Sequence, residues 1–341
     1  MTDIAYSVAR STRASSIAAP AGLVLICLLA AAPLWVGRAD MRLMVEIYYY
    51  LVLAQMWNLL AGYAGLVSVG QQAYVGIGGY MLFALAAFAG VPPLLAIPLA
   101  GLIAAAIALP SGALLFRLRG PYFAIGAWVL AEAFRLGFAQ ISALGGGSGM
   151  SLPAKIVRTI ADSRGAREMT VYWVALGLAI LSVAIVYFLL RSRHGLALTA
   201  IRDSEEASES LGVNAWRTKY VTYIAAAFFT GMAGALIFLQ KLRISPDAAF
   251  SVNDWTAFVI FIVVIGGIGT VEGPIIGVLL FFLLREFAAD WGTWYLILLG
   301  LIAIAVMLKA PKGLWGYAAE RWGLSLMPVG RRLVVKEGNE R

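Results

Sequence analysis

The sequence is built from apolar runs, each about as long as a helix needs to cross the hydrocarbon of a bilayer, roughly 20 residues. About ten such runs fall at 17–36, 43–61, 73–90, 94–115, 121–141, 170–190, 219–240, 254–270, 273–290 and 292–308. Hydrophobic residues make up 62% of the chain and charged residues 13%, against about 45–50% and 25% in an ordinary soluble domain. No soluble core of this size hides that much apolar surface. In lipid every backbone polar group must find a partner inside the protein, and a helix satisfies this within each run. The expected fold class is an all-α integral membrane protein with about ten transmembrane helices. The ninth and tenth runs are the least regular, because Arg285, Glu286 and Asp290 fall between or within them.

Lysine and arginine in the connections orient such a chain. With the N-terminus inside, sixteen basic residues lie on the cytoplasmic side and nine on the other. The bias predicts a multi-pass protein with both termini cytoplasmic, although the long loop 142–169 puts four basic residues outside. Arg10 and Arg13 precede the first apolar run, a pattern shared with signal peptides. The run is long and more follow, so it is read as a retained first helix. The expected organisation is an N-terminal tail 1–16, a membrane domain 17–308 containing a cytoplasmic loop 191–219, and a C-terminal tail 309–341.

Several function classes are disfavoured. The net charge is +8, without the interleaved basic and aromatic stretches of nucleic-acid binders. One cysteine, Cys27, and one histidine, His194, argue against a disulfide, a thiolate cluster or a histidine-based metal site. No lysine follows a glycine, so there is no phosphate-binding Gly-Lys-Ser/Thr loop. The reading is of a transport subunit and not an enzyme, with no cofactor and no metal; any ATPase is a separate chain.

Four segments stand out. In 62–79, Gly62, Gly65 and further glycines free the backbone from helical geometry, and Ser68, Gln71 and Gln72 are costly in lipid. Either these residues line a path or they satisfy freed backbone groups in a tight turn. Gly266 and Gly269 mark a second break, closed by Pro274, with Glu272 at the start of the next helix. Glu132 and Arg135, three apart, suit an ion pair on one helix face. In the loop 191–219, Asp203 with Glu206 has capping-box spacing, Glu205 and Glu206 favour a helix N-terminus, and Gly212 suits the position after its end. A short helix is expected over 204–211, with Ala207 and Leu211 as a small apolar face and Asn214 capping the helix that follows. A solvated linker and a docking knob fit this helix equally well.

The chain resembles the permease subunits of branched-chain amino acid ABC importers, of the LivM type. The match rests on Asn58-Leu-Leu-Ala-Gly-Tyr-Ala-Gly-Leu-Val-Ser-Val-Gly70, Arg119-Gly-Pro-Tyr-Phe-Ala-Ile-Gly126 and Gly145-Gly-Gly-Ser-Gly-Met150. It continues through Ser192-Arg-His-Gly-Leu-Ala-Leu-Thr-Ala-Ile-Arg-Asp-Ser-Glu-Glu-Ala207, Ile244-Ser-Pro-Asp247 and Gly266-Gly-Ile-Gly-Thr270. The segments occur in order across about 45–315.

The resemblance implies a type II-like importer permease fold in a bacterial inner membrane. It implies a sister permease, as a heterodimer, two cytoplasmic ATPase subunits and a periplasmic binding protein as partners. Asp203, Glu205, Glu206, Ala207, Leu211 and Gly212 then form the ATPase-coupling loop. Gly62, Gly65, Ser68, Gln71, Gln72, Gly266 and Gly269 are candidates for the translocation pathway. One departure is Gln71, where relatives commonly carry histidine; it leaves urea or a short amide open as the cargo. An ion-coupled secondary transporter is the other alternative, but no acidic residue sits securely at mid-membrane.

Overall fold

A computed structural model describes residues 5–9, 12–288, 292, 294–330 and 332–336. The chain is almost wholly helical. In order it runs β1 (Ala5–Ala9), α1 (Arg13–Ala31), α2 (Arg38–Asn58), α3 (Gln72–Ala87), α4 (Pro93–Leu115) and α5 (Pro121–Ala139). Then come β2 (Met150–Ser151), α6 (Ala154–Arg158), α7 (Arg164–Arg191), α8 (Arg193–Asp203), α9 (Glu205–Ser210) and α10 (Ala215–Lys241). The last part holds β3 (Arg243–Ile244), α11 (Pro246–Ala249), α12 (Phe258–Gly266), α13 (Gly273–Phe287), α14 (Trp294–Lys309), α15 (Gly313–Trp322) and β4 (Arg332–Lys336).

Every one of the ten apolar runs is occupied by a helix. Among the described residues eight helical stretches are long and apolar enough to cross a membrane. The other two runs form α3 and α13, of 16 and 15 residues. At 1.5 Å per residue they extend about 24 and 22 Å, short of the roughly 30 Å hydrocarbon. Both begin directly after a glycine break, which shortens them. The predicted end of the ninth run at 290 lies outside the described residues.

Burial orders the helices from centre to rim. In the most apolar 18 residues of each stretch, 72% of residues are buried in Arg38–Tyr63 and in Ala215–Lys241, against 11% in Ala14–Leu34 and 6% in Trp294–Trp322. The central helix α10 packs on α3 and α4 through small residues. A Cβ on Gly78 would lie 1.9 Å from the Gly231 carbonyl, and one on Gly234 would lie 2.1 Å from that of Val75. Such backbone approach is the main source of helix attraction where lipid removes the hydrophobic drive. Beside it, Tyr50 meets Trp255, Phe281 and Phe282 with ring centroids 5.7–6.0 Å apart.

The connections are more ordered than the sequence suggests. The loop 142–169 holds α6 and the first turns of α7, which starts at Arg164. It is tied to the end of α10 by β2 pairing with β3. The two tails are not simple extensions: β1 pairs antiparallel with β4, and α15 lies within the region read as tail. At the end of the molecule away from the 191–219 loop, Glu132 pairs with Arg135 at 2.6 Å as expected, and Asp247 of α11 joins them at 2.6 Å.

Candidate coupling loop and the glycine junction

The 191–219 loop folds as two short helices, α8 and α9. Ser204, not Asp203, caps α9: its Oγ accepts from the Ala207 amide at 3.2 Å. Asp203 belongs to the last turn of α8 and pairs with Arg202 at 3.1 Å. Both residues are able to cap a helix, and the continuation of α8 through 203 decides between them. Gly212 takes a positive φ of 85°, as its place after the helix end requires. Asn214 Oδ1 accepts from the Arg217 amide at 2.8 Å, so it caps α10 as predicted.

The loop is anchored from beneath and bare above. Leu198 and Ile201 of α8 and Ser208 of α9 are buried. Lys219 reaches Glu205 at 2.7 Å. His194 Nε2 lies 2.9 Å from Thr222 Oγ1, and burial lowers the imidazole below its ordinary pKa. Glu206 and Ala207 are exposed, and Leu211 is 84% exposed. The outward face of α9 is thus acidic and apolar together.

Arg202 joins this loop to the bundle. Its Nη1 donates to the Gly62 carbonyl at 3.1 Å, where α2 widens into a π-helical turn over Leu59–Tyr63. There the two glycine breaks meet. A Cβ on Gly62 would lie 2.6 Å from the Gly269 nitrogen, and Gly269 itself has φ +77°. Asn58 clamps the contact from α2. Its Oδ1 accepts from the Gly269 amide at 2.8 Å, and its Nδ2 donates to the Thr270 carbonyl at 2.7 Å. Gln55, one turn earlier, donates to the Val271 carbonyl at 2.8 Å. Thr270 Oγ1 accepts from the Gly273 amide at 3.0 Å, which caps α13. Glu272 does not cap with its side chain; its Oε1 accepts from the Met327 amide at 2.6 Å.

The remaining sequence candidates fall elsewhere. Ser68 and Gln71 border a small cavity with Tyr74, Tyr223 and Thr230, with about 20 Å³ of space for a water molecule's centre. Gln71 Nε2 donates to the Leu53 carbonyl at 2.8 Å, while its Oε1 is buried without a protein partner. Gln72 bonds Thr256 in the turn before α12. Gly266 backs directly onto the Gly273 carbonyl, and Gly65 is exposed with φ +69°. Ser68 Oγ accepts from the Gly70 amide at 3.2 Å and Gln71 holds a backbone carbonyl, whereas the Gln72 side chain meets a hydroxyl; Gly62, Gly266 and Gly269 make close backbone contacts. Gln55, Asn58 and Arg202 carry the junction and were not singled out from sequence. Two amides three apart in an apolar run are the signal that was there to find.

The arrangement suits transmission of movement. A solvent-facing helix pair is hydrogen-bonded to the point where two interrupted helices touch; the backbone freed at 269–271 is held by Gln55 and Asn58 of α2, and the Gly62 carbonyl by Arg202 of α8. The residues 41–307 match the family model described as branched-chain amino acid transport system / permease component. The chain is 30% identical over 314 residues to the high-affinity branched-chain amino acid transport system permease protein LivM of Escherichia coli, covering 86% of this chain and 73% of that one. It is 26% identical over 170 residues to a probable branched-chain amino acid transport permease protein LivM of Methanocaldococcus jannaschii, covering 50% and 48%. To the permease protein BraD of Pseudomonas aeruginosa it is 31% identical over 134 residues, covering 38% and 42%. No solved structure matches the chain. Its apolar helices make it a multi-pass membrane protein, and it belongs to the permease family of branched-chain amino acid transport systems.

Proposed function

We propose that this chain is one half of the translocation unit of an ATP-driven importer for branched-chain or related amino acids. It works in a bacterial inner membrane with both termini cytoplasmic. A sister permease completes the pathway, two ATPase subunits dock on the α8–α9 loop, and a periplasmic binding protein delivers the cargo. The observation that carries this reading is the hydrogen bond from Arg202, at the end of α8 just before α9, to Gly62 at the Gly62–Gly269 contact. Movement imposed on α9 from outside is passed to both broken helices at once. A coupling loop needs that connection, and a linker does not. The pathway candidates Gly62, Gly65, Gly266 and Gly269 then act as hinge positions, and Ser68, Gln71 and Gln72 hold the broken segments in register.

Reconstitution in liposomes with the sister permease, ATPases and binding protein tests the reading. Uptake of labelled leucine is expected only with ATP inside and all subunits present. Uptake driven by a sodium or proton gradient, without ATPases, would overturn it. Uptake of urea or acetamide in place of leucine would keep the machine and change the cargo.

A further inference from the structure

A cavity of about 580 Å³ opens at the end of the bundle opposite the α8–α9 loop, between the ends of α2, α7 and α10. Its size lies within the usual range for small-molecule sites, about 300–1,000 Å³. Charged groups of both signs and apolar side chains share its lining. Much of the charge is already matched. Glu168 takes Arg42 at 2.5 Å and Arg164 at 3.5 Å, and Glu46 takes Arg285 in a two-pronged contact at 2.7 and 2.9 Å.

Two cations make no salt bridge among the described residues, Arg167 and Lys241. Lys241 rests its ammonium 4.8 Å from the centre of the Trp255 ring, within the electrostatic reach of Glu46 and Asp254. Arg167 and Lys241 line the cavity, together with Val45, Val171 and Leu239. Two cations without a salt bridge, beside carboxylates and an aliphatic wall, complement a small zwitterion with a hydrocarbon side chain. A free aliphatic amino acid carries a carboxylate, an ammonium and a branched hydrocarbon chain. The carboxylate oxygens of Glu46 have lone pairs beyond those that Arg285 uses, so they have capacity for an ammonium.

We infer that this cavity is a low-affinity receiving site for a zwitterionic aliphatic amino acid, with Arg167 and Lys241 taking its carboxylate, Glu46 its ammonium and Val45, Val171 and Leu239 its side chain. The inference rests on the proposed amino acid importer and extends it by placing a cargo site in this chain. The phosphate of an anionic lipid such as phosphatidylglycerol would satisfy the two cations but bring no ammonium to Glu46.

The test is binding of labelled L-leucine to this chain with the subunits that co-purify with it, in phosphatidylcholine nanodiscs and without binding protein. Saturable binding is expected, at least tenfold weaker in Arg167→Gln/Lys241→Gln and recovered in Arg167→Lys/Lys241→Arg. Competition by 4-methylpentanoate, which lacks the ammonium, and by 3-methylbutylamine, which lacks the carboxylate, is expected to be at least tenfold weaker than by leucine. Equal binding by the glutamine variant, or no binding to the parent protein, would overturn the site. So would loss of leucine binding in phosphatidylglycerol nanodiscs, which would assign the cations to a lipid phosphate. The liposome assay separates the two levels. Normal ATP-driven uptake by the glutamine variant removes the site and leaves the importer, whereas no ATP-driven uptake by the parent protein removes both.

Discussion

Asn58 shows what a single side chain does at the glycine junction. It is buried, and both ends of its carboxamide bond backbone of the segment after α12. Asn58→Ala leaves a donor and an acceptor there without partners, at a cost of about 2 kcal/mol. A lowered midpoint in thermal unfolding and reduced uptake are expected, and an unchanged midpoint would remove Asn58 as the clamp. Gly62→Ala acts differently, because the new methyl meets the Gly269 backbone as well as the Asn58 carboxamide. We expect inserted protein with the junction parted and transport lost. His194 sets a pH response. Burial holds its folded-state pKa below the unfolded value of about 6.5, so the folded form resists a proton that the unfolded form takes up. Stability is full above that value and falls as pH drops through it. Melting curves at pH 7.5 and 5.5 should differ less for His194→Gln than for the parent protein. Little of this was legible in the sequence. Asn58 lies 211 positions from Gly269, and no local pattern records a partner so distant.

At the scale of elements, α8 and α9 divide the coupling task. The exposed face of α9 carries Glu206, and Arg202 at the end of α8 carries the bond into the bundle. Glu206→Lys should reduce the ATPase subunits recovered with the permease. Arg202→Ala should leave that recovery intact while uptake per ATP hydrolysed falls about tenfold, since docking stays and the link is cut. If both variants lose the ATPase subunits equally, the two helices share one role. The sequence made α9 and its terminal Gly212 visible through local capping chemistry. It left α8 hidden, because only a short amphipathic stripe, with Leu198 and Ile201 inward, separates that helix from a loop. The N-cap was misplaced by one residue for the same reason: the strength of Asp203 as a cap matters only if no helix already runs through it.

Across the whole molecule, ten runs read from hydropathy correspond to ten helices, since length and apolarity are local properties. The sequence did not reveal which helices are central. That order depends on small residues meeting across α3, α4 and α10. The proposed orientation places Glu206 and Lys155 on opposite sides of the membrane. With Cys27 replaced by serine, Lys155→Cys should react with an impermeant maleimide in intact cells, and Glu206→Cys only after the cells are opened. The reverse pattern would invert the topology. The ion pair between Glu46 and Arg285 also joins an early part of the chain to a late one. Its members are 239 residues apart, and ribosomes add about 5–20 residues per second, so Glu46 is synthesised roughly 10–50 s before its partner. During that interval Glu46 lacks the two-pronged contact it has in the finished fold. The fifteen-residue α13 carries in its last turn the arginine that gains this counter-ion only on arrival. Assembly of this protein is therefore ordered in time: the early helix is the receptor for the late one, and a chain interrupted before Arg285 lacks that contact.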